Sequence, residues 1–244
     1  MMRKMKRITA IFTIGALVGI FLALFHPVNS TLHRLVLVVS IGVCWSGLTN
    51  LLWNQKRVRC LFLLLPLLVA IPFVLPARDI DTAVLREDYV RRLNAFEGDD
   101  YYWGGESSRG IDCSGLPRRA FRDALLSYGL RNLNGKACRA FLEQWWFDAS
   151  AKALGEGYRS YTVPVGVSGT IEKMDYGDLM PGDIAVTSSG IHALAYAGED
   201  DWIQAEPGIG KVVTLDGRKS QNLWFGRPVI AHRWRILDER NVSR

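Results

Sequence analysis

The stretch YYWGGESSRGIDCSG (Tyr101–Gly115) packs four glycines, three aromatic side chains and one cysteine into fifteen residues. Glycine permits turns and close backbone approaches that other residues resist. From Cys113 onward, CSGLPRRAFRDALLSYGL sets Leu116, Ala120, Phe121, Ala124 and Leu125 on one stripe. That spacing predicts a helix opening at Cys113 and stopping near Gly129. On residues alone, two readings of Cys113 stay open. It is a small buried residue in a glycine-rich turn, or a nucleophile presented at a helix N-terminus.

The formal net charge of +6 over 244 residues invites a nucleic-acid partner, but its distribution excludes one. Residues 1–78 hold nine Lys or Arg (3, 4, 6, 7, 34, 56, 57, 59, 78) and no Asp or Glu, leaving 21 basic and 24 acidic residues in 79–244. The basic excess belongs to an apolar third of the chain and forms no phosphate-binding face.

That third predicts a membrane anchor contacting the lipid bilayer. Ile8–Phe25 is apolar but for threonine, Leu35–Trp53 is a second run, and Leu61–Ala77 is a third, carrying Pro66, Pro72 and Pro76. The first two match the roughly 17–25 residues that a bilayer core requires, and the third is at the short end. Arg3, Lys4, Lys6 and Arg7 precede the first run, Arg34 alone marks the first loop, and Lys56, Arg57 and Arg59 fill the second. By the positive-inside rule the pattern reads in, out, in, which delivers residues 79–244 to the outer side. A third run that only dips into the bilayer would leave them inside.

Within 79–244, Leu85, Tyr89, Leu93 and Phe96 predict a helix ending at Gly98. CRAFLEQWWFDASAKALGEG predicts another, closed by Gly155 and Gly157. After about residue 158, YTVPV, DIAVT, IHALAYA, DWIQA, KVVTL and PVIAHRWRIL read as short, mostly antiparallel strands. Helices first and sheet second indicate an α+β domain.

A turn near Gly198–Asp201 sets His192 and Gln204 six residues either side of Gly198, facing each other across a hairpin and sharing a face with Leu194, Tyr196 and Trp202. Ala193, Ala195 and Ala197 make the other face small enough for a helix. If that helix is the one opened by Cys113, helix terminus and imidazolium together favour a thiolate. Gln204 would hold the imidazole in its productive tautomer. The result is a Cys–His–polar triad of the papain kind. His232 reads as an ordinary strand residue. Cys138 is the other outer cysteine, and a Cys113–Cys138 disulfide would disable the loop built around Cys113.

The Tyr101–Gly115 stretch resembles the nucleophile motif of the NlpC family of cysteine peptidases. LMPGDIAV (Leu179–Val186), IHALAYAG (Ile191–Gly198) and WIQAEPGIGKVV (Trp202–Val213) resemble its next three motifs in order, so the likeness covers about 83–238. It implies a papain-like α+β fold, no metal or cofactor, and hydrolysis of peptidoglycan stem peptides, usually between γ-linked D-glutamate and a diamino acid. It implies Cys113 as nucleophile, His192 as base and Gln204 as orienter. Tyr101 would sit beside the oxyanion, and Asp112 and Ser114 would line the pocket for the stem peptide's free amine. A bacterial wall substrate agrees with the topology read from the apolar runs, which puts the chain in the cytoplasmic membrane with residues 79–244 on the outer side. Three departures stand out. Ile111 replaces an aromatic, Pro117 falls inside the expected helix, and the long segment from Cys113 to His192 reads as a lid or a narrowing of the groove. Two other functions share these residues: an amidase or lipid acyltransferase using the same Cys–His site, and a non-catalytic wall-binding module.

Overall fold

Small residues let the first two helices come together. In the computed structural model, which describes residues 2–239, α1 (Met2–Phe25) and α2 (Thr31–Leu52) pack where Gly47 meets Thr13 and Gly19 meets Ser40. A Cβ at Gly47 would collide with the Thr13 hydroxyl. Such contacts drive helix association where lipid tails leave no hydrophobic gain between helices. α3 (Lys56–Val74) carries Pro66 and Pro72 inside it and ends before Pro76. All three helices are long and apolar enough to cross a membrane. Met1–Leu75 forms one compact unit and Pro76–Arg244 a second, of which 240–244 lie outside the described residues.

The second unit begins with α4 (Thr82–Asn94). Asp81 caps it by accepting the Val84 N–H at 3.1 Å, and Leu85, Tyr89 and Leu93 are its buried stripe. Next comes a two-stranded hairpin unforeseen in the sequence, β1 (Glu106–Ser107) and β2 (Gly110–Ile111). α5 (Gly115–Arg131) ends two residues past Gly129, as expected from the sequence. Gly129 is a packing residue: a Cβ would come within 2.6 Å of the Cys138 Sγ on α6 (Gly135–Trp146). The single long helix expected after it is two. α6 ends at Trp146, and α7 (Ala151–Gly155) restarts where the Ser150 hydroxyl accepts the Ala153 N–H.

Six antiparallel strands follow: β3 (Thr162–Thr170), β4 (Ile184–Thr187), β5 (Ala193–Gly198), β6 (Asp201–Glu206), β7 (Lys211–Asp216) and β8 (Pro228–Trp234). Their spatial order is β3-β8-β4-β5-β6-β7. The α+β class expected from the sequence is the class observed. Period-two alternation gives the sheet two covered faces. Ile184, Ala193, Ala195, Ile203 and Ala205 meet the helices, where Phe121 stacks on Trp234 at 4.5 Å. Leu194, Tyr196, Trp202 and Ala231 meet a cover built from Ile171, Tyr176 and Phe225. β3 pairs only with β8, so this part of the long segment extends the sheet at the edge remote from β6 and β7.

The hairpin is tied to α5 by charge. Glu106, 2% exposed, meets Arg118 at 2.9 Å and Arg122 at 2.8 Å, two residues one helical turn apart. Arg118 also pairs with Asp148 in the break before α7. Removing one member of a buried ionic cluster leaves the others uncompensated, at about 3–5 kcal/mol. Glu106→Ala is expected to lower stability by about that amount, read as the shift in the denaturation midpoint of the full chain in detergent.

Candidate active site

The glycines of the opening stretch serve close approach. A Cβ at Gly105 would strike the Gly110 carbonyl, and one at Gly115 would strike the Gly105 carbonyl. The folded loop is held by Asp112 N–H to Gly105 O (3.1 Å), Tyr102 N–H to Ile111 O (3.1 Å) and Tyr101 N–H to Gly210 O (2.8 Å). Asp112 is the hub. Its Oδ2 accepts the Gly104 N–H at 2.9 Å, and its Oδ1 accepts the Ser114 N–H and hydroxyl, each at 3.0 Å, and the Gly115 N–H. Its carbonyl accepts the Leu116 N–H at 3.0 Å. Asp112 therefore caps α5, a contribution of about 1 kcal/mol for such residues. Ser114, expected with Asp112 at an amine pocket, donates its hydroxyl to that carboxylate. Pro117, which has no N–H to give, falls in the first turn, where none is required.

Cys113 sits just ahead of α5 with its Sγ against the backbone on both sides of His192. The thiol lies 3.9 Å from Ile191 O and takes a hydrogen bond from the Ala193 N–H. That N–H is free for sulfur because the β5–β6 ladder reaches only to Ala195↔Ile203. His192 is fixed to β4 by its backbone: its N–H reaches the Thr187 hydroxyl at 3.1 Å, and its carbonyl accepts the Thr187 N–H at 3.0 Å. Its ring Nε2 lies 2.7 Å from Gln204 Oε1. An amide oxygen only accepts, so Nε2 carries the proton and Nδ1 keeps its lone pair. Gln204 is fully buried, and its Nε2 has no hydrogen-bond partner among the described residues.

The expected geometry needs one correction. The register Tyr196↔Trp202 and Ala195↔Ile203, carried on, sets Gln204 opposite Leu194 and Glu206 opposite His192. The His192–Gln204 bond is thus diagonal, within reach of long side chains on one face. Two further side chains belong to the site. Trp224, in the connection between β7 and β8, stacks on the His192 ring at 4.0 Å between centroids and 15° between planes. Its indole N–H reaches Glu206 Oε1 at 3.0 Å. Glu206 lies two residues past Gln204, so period two puts it on the same face. Trp224 carried no sequence signal, because nothing local says where a loop aromatic lands. His232 lies on β8, with β4 between that strand and β5, and its Nδ1 faces Ile230 O at 3.0 Å. Cys113 and Cys138 are both free thiols.

Electrostatics depart from the expected thiolate. Burial, and then the Asp112 carboxylate, push the Cys113 thiol up to about 12, against the downward pull of the Ala193, Ser114 and Cys113 N–H groups. Burial pulls the His192 imidazole down to about 4, against the Gln204 hydrogen bond and the Glu206 charge. Burial, then Cys113, Asp112 and Glu206, push the half-buried Tyr101 phenol up to about 12, leaving it a hydrogen-bond donor at neutral pH. Both shifts favour the uncharged forms, thiol and neutral imidazole, at neutral pH.

The NlpC/P60 family model matches residues 98–227. That is more than half of the sequence, and the chain belongs to the NlpC/P60 family. Similar solved structures are NlpC2 from Trichomonas vaginalis (20% identity, 64% of this chain and 48% of that one, TM-score 0.41) and the peptidoglycan hydrolase RipB from Mycobacterium tuberculosis (20% identity, 63% and 66%, TM-score 0.39). A third is the P60 domain of an antigen from M. avium subspecies paratuberculosis (19% identity, 65% and 99%, TM-score 0.38). The match spans about half the length of the Trichomonas vaginalis chains. A comparison with curated proteins gave no match.

The neutral thiol has a measurable consequence. Its thiolate fraction climbs about tenfold per pH unit below its pKa. Iodoacetamide is expected to label Cys113 more slowly than free cysteine at pH 7, with a rate still rising past pH 9, followed by mass spectrometry of the Cys113 peptide. A rate already flat at pH 7 would contradict the raised pKa.

Proposed function

We propose that this chain is a membrane-tethered cysteine endopeptidase that cleaves peptidoglycan stem peptides between γ-linked D-glutamate and a diamino acid. Cys113 is the nucleophile, His192 the base and Gln204 its orienter. The observation that carries the reading is the His192 Nε2 to Gln204 Oε1 bond of 2.7 Å beside a thiol seated against residues 191–193. That bond leaves Nδ1 as the lone pair able to take the thiol proton. As the proton moves to His192, Sγ bonds to the scissile carbonyl carbon and the oxygen becomes an oxyanion. The C–N bond then breaks, the leaving amine takes the proton from His192, and an acyl thioester remains. Water, deprotonated by the same imidazole, cleaves the thioester and restores the thiol. The Tyr101 phenol, kept protonated, is suited to donate to the oxyanion. Asp112 and Ser114 hold the loop that would receive the stem peptide's amine end.

The membrane part of the reading rests on three apolar helices and on the Lys/Arg distribution, which favours residues 79–244 on the outer face of a bacterial cytoplasmic membrane. Alkaline phosphatase fused after Arg78 is expected to be active and green fluorescent protein dark. The reverse result would place the domain inside.

Activity is tested with defined stem peptides, the full chain in detergent, and product masses. Cys113→Ser is expected to abolish cleavage with an unchanged melting temperature, and Cys138→Ser to be nearly silent. His192→Ala is expected to lower kcat about 1,000-fold or more, because thiol deprotonation and proton return both fail. Gln204→Ala is expected to cost ~10- to 100-fold, on the order of 1.4–2.8 kcal/mol of barrier. Gln204→His is expected to keep part of the activity. Gln204→Ala matching wild type while His232→Ala is dead would overturn the triad.

A further inference from the structure

We propose that Glu206 is a positioning residue for His192: its carboxylate clamps the Trp224 indole flat on the imidazole, and its charge supports the imidazolium formed when the thiol gives up its proton. The proposal rests on the reading of Cys113 and His192 as the reacting pair.

Glu206 is an unusual residue to find here. It is 5% exposed, at the end of β6, where isolated carboxylates are costly to bury. Its oxygens are spent within the site: Oε1 accepts the Trp224 indole N–H at 3.0 Å, and Oε2 accepts the Ile209 N–H. The Ile209 bond folds the Pro207–Gly210 turn back over the carboxylate. That turn continues to Gly210, whose carbonyl receives the Tyr101 N–H at 2.8 Å. Trp224 is anchored as well, with its own N–H on Asn222 Oδ1 at 3.0 Å and fully buried Phe225 beside it. A loop aromatic held at both backbone and indole nitrogen has one place to lie, and that place is the His192 ring face.

The groups facing His192 make Glu206 distinctive. β6 contributes Gln204 and Glu206, the β7–β8 connection contributes Trp224, β4 contributes the Thr187 hydroxyl, and the start of α5 contributes the Cys113 thiol. Of these, Glu206 alone is a carboxylate, and it raises the basicity that burial suppresses. The Asp112 carboxylate acts on the thiol instead, and the thiol, Asp112 and Glu206 all act on the Tyr101 phenol. Lys211, paired with Glu206 across the β6–β7 ladder, extends its ammonium to Asp100 at 3.6 Å and leaves the carboxylate charge in place. Trp224 keeps water from one ring face, so the carboxylate acts across a poorly screened medium.

The sign of the effect separates this role from a structural one. Glu206→Gln keeps an acceptor for the indole and removes the charge. His192 is then expected to titrate lower by on the order of 0.5–1 pH unit, since an opposite charge favours the protonated form. On a stem peptide, kcat/KM at pH 7 is expected to fall about tenfold, while the acid limb of its pH profile moves to lower pH. Glu206→Asp and Trp224→Phe break the clamp and keep the charge, so both are expected to lower kcat by about threefold or more with the acid limb unmoved.

The deciding measurement needs no substrate. The His192 imidazole is titrated by NMR in the ring-labelled full chain in detergent, with its signal assigned by its loss in His192→Ala. A Glu206→Gln titration that superimposes on wild type overturns the charge role even if every stem peptide proves inert. Glu206→Asp and Trp224→Phe with wild-type kcat overturn the clamp. Should Glu206→Gln fail to fold, a lowered His192 titration in Glu206→Asp would also overturn the proposal, because that variant keeps the charge.

Discussion

The Asp112 carboxylate holds together the two backbone segments between which Cys113 is suspended. One oxygen takes the Gly104 N–H from the glycine loop, and the other takes the first free donors of α5. Loop and helix therefore cannot move apart without exposing a carboxylate that is 9% accessible. The glycines follow from this constraint, since the two segments approach more closely than any side chain allows. So does the buried Glu106–Arg118–Arg122 cluster, which pins the next part of the loop to the next turns of the same helix. The position of one sulfur is thus set by a hydrogen-bonded cap and an ionic cluster on one helix.

This placement has an electrostatic cost. A helix N-terminus favours an anion by about 0.3–1 kcal/mol, but Cys113 is buried and beside the charge that caps the helix. Desolvation and Asp112 win, and the thiol is held neutral. The same burial holds His192 neutral. A site of this kind stores no thiolate. On the proposed reading, proton transfer and attack occur together, so groups that stabilise the imidazolium matter most at that moment. Gln204 bonds the ring at Nε2, and Glu206 is the charge within its reach.

The legible parts were those fixed by local pattern. Tyr89 and Leu93 announced α4, alternation along IHALAYA and DWIQA announced a hairpin with two distinct faces, and three apolar runs announced α1 to α3. Cys113, His192 and Gln204 stand at motif spacings in the sequence, and the fold brings the three side chains into one neighbourhood. What local pattern could not supply was tertiary. Gly129 marks the approaching helix end in sequence, but its role as a contact surface for Cys138 shows only in the fold. Phe147–Ser150 has no strong breaker, and the helix ends there because Arg118 claims Asp148 and Ser150 caps the next turn. The diagonal His192–Gln204 pairing depends on the register shift between Tyr196 and Gly198, which no count of residues from Gly198 reveals. Trp224 reaches the site through a long connection anchored by Phe225, so its role exists only in three dimensions.

The long segment between Cys113 and His192 shows the same division. Read alone, its aromatic helix and β-rich run suggested a cover for the groove. In the fold, α6 packs on the side of α5 through Cys138 and Gly129, Asp148 joins the ionic cluster, and β3 lengthens the sheet beyond β8. The sheet order puts β8 and β4 between β3 and the His192 strand. The added residues therefore enlarge the core behind α5 and fix that helix from its far side. A small domain gains stability in proportion to the surface it buries. Here the gain falls on the element whose N-terminus must hold still. Closure over His192 comes from the other end of the sheet, through Trp224 and Glu206, so rigidity and enclosure are assigned to different parts of the chain.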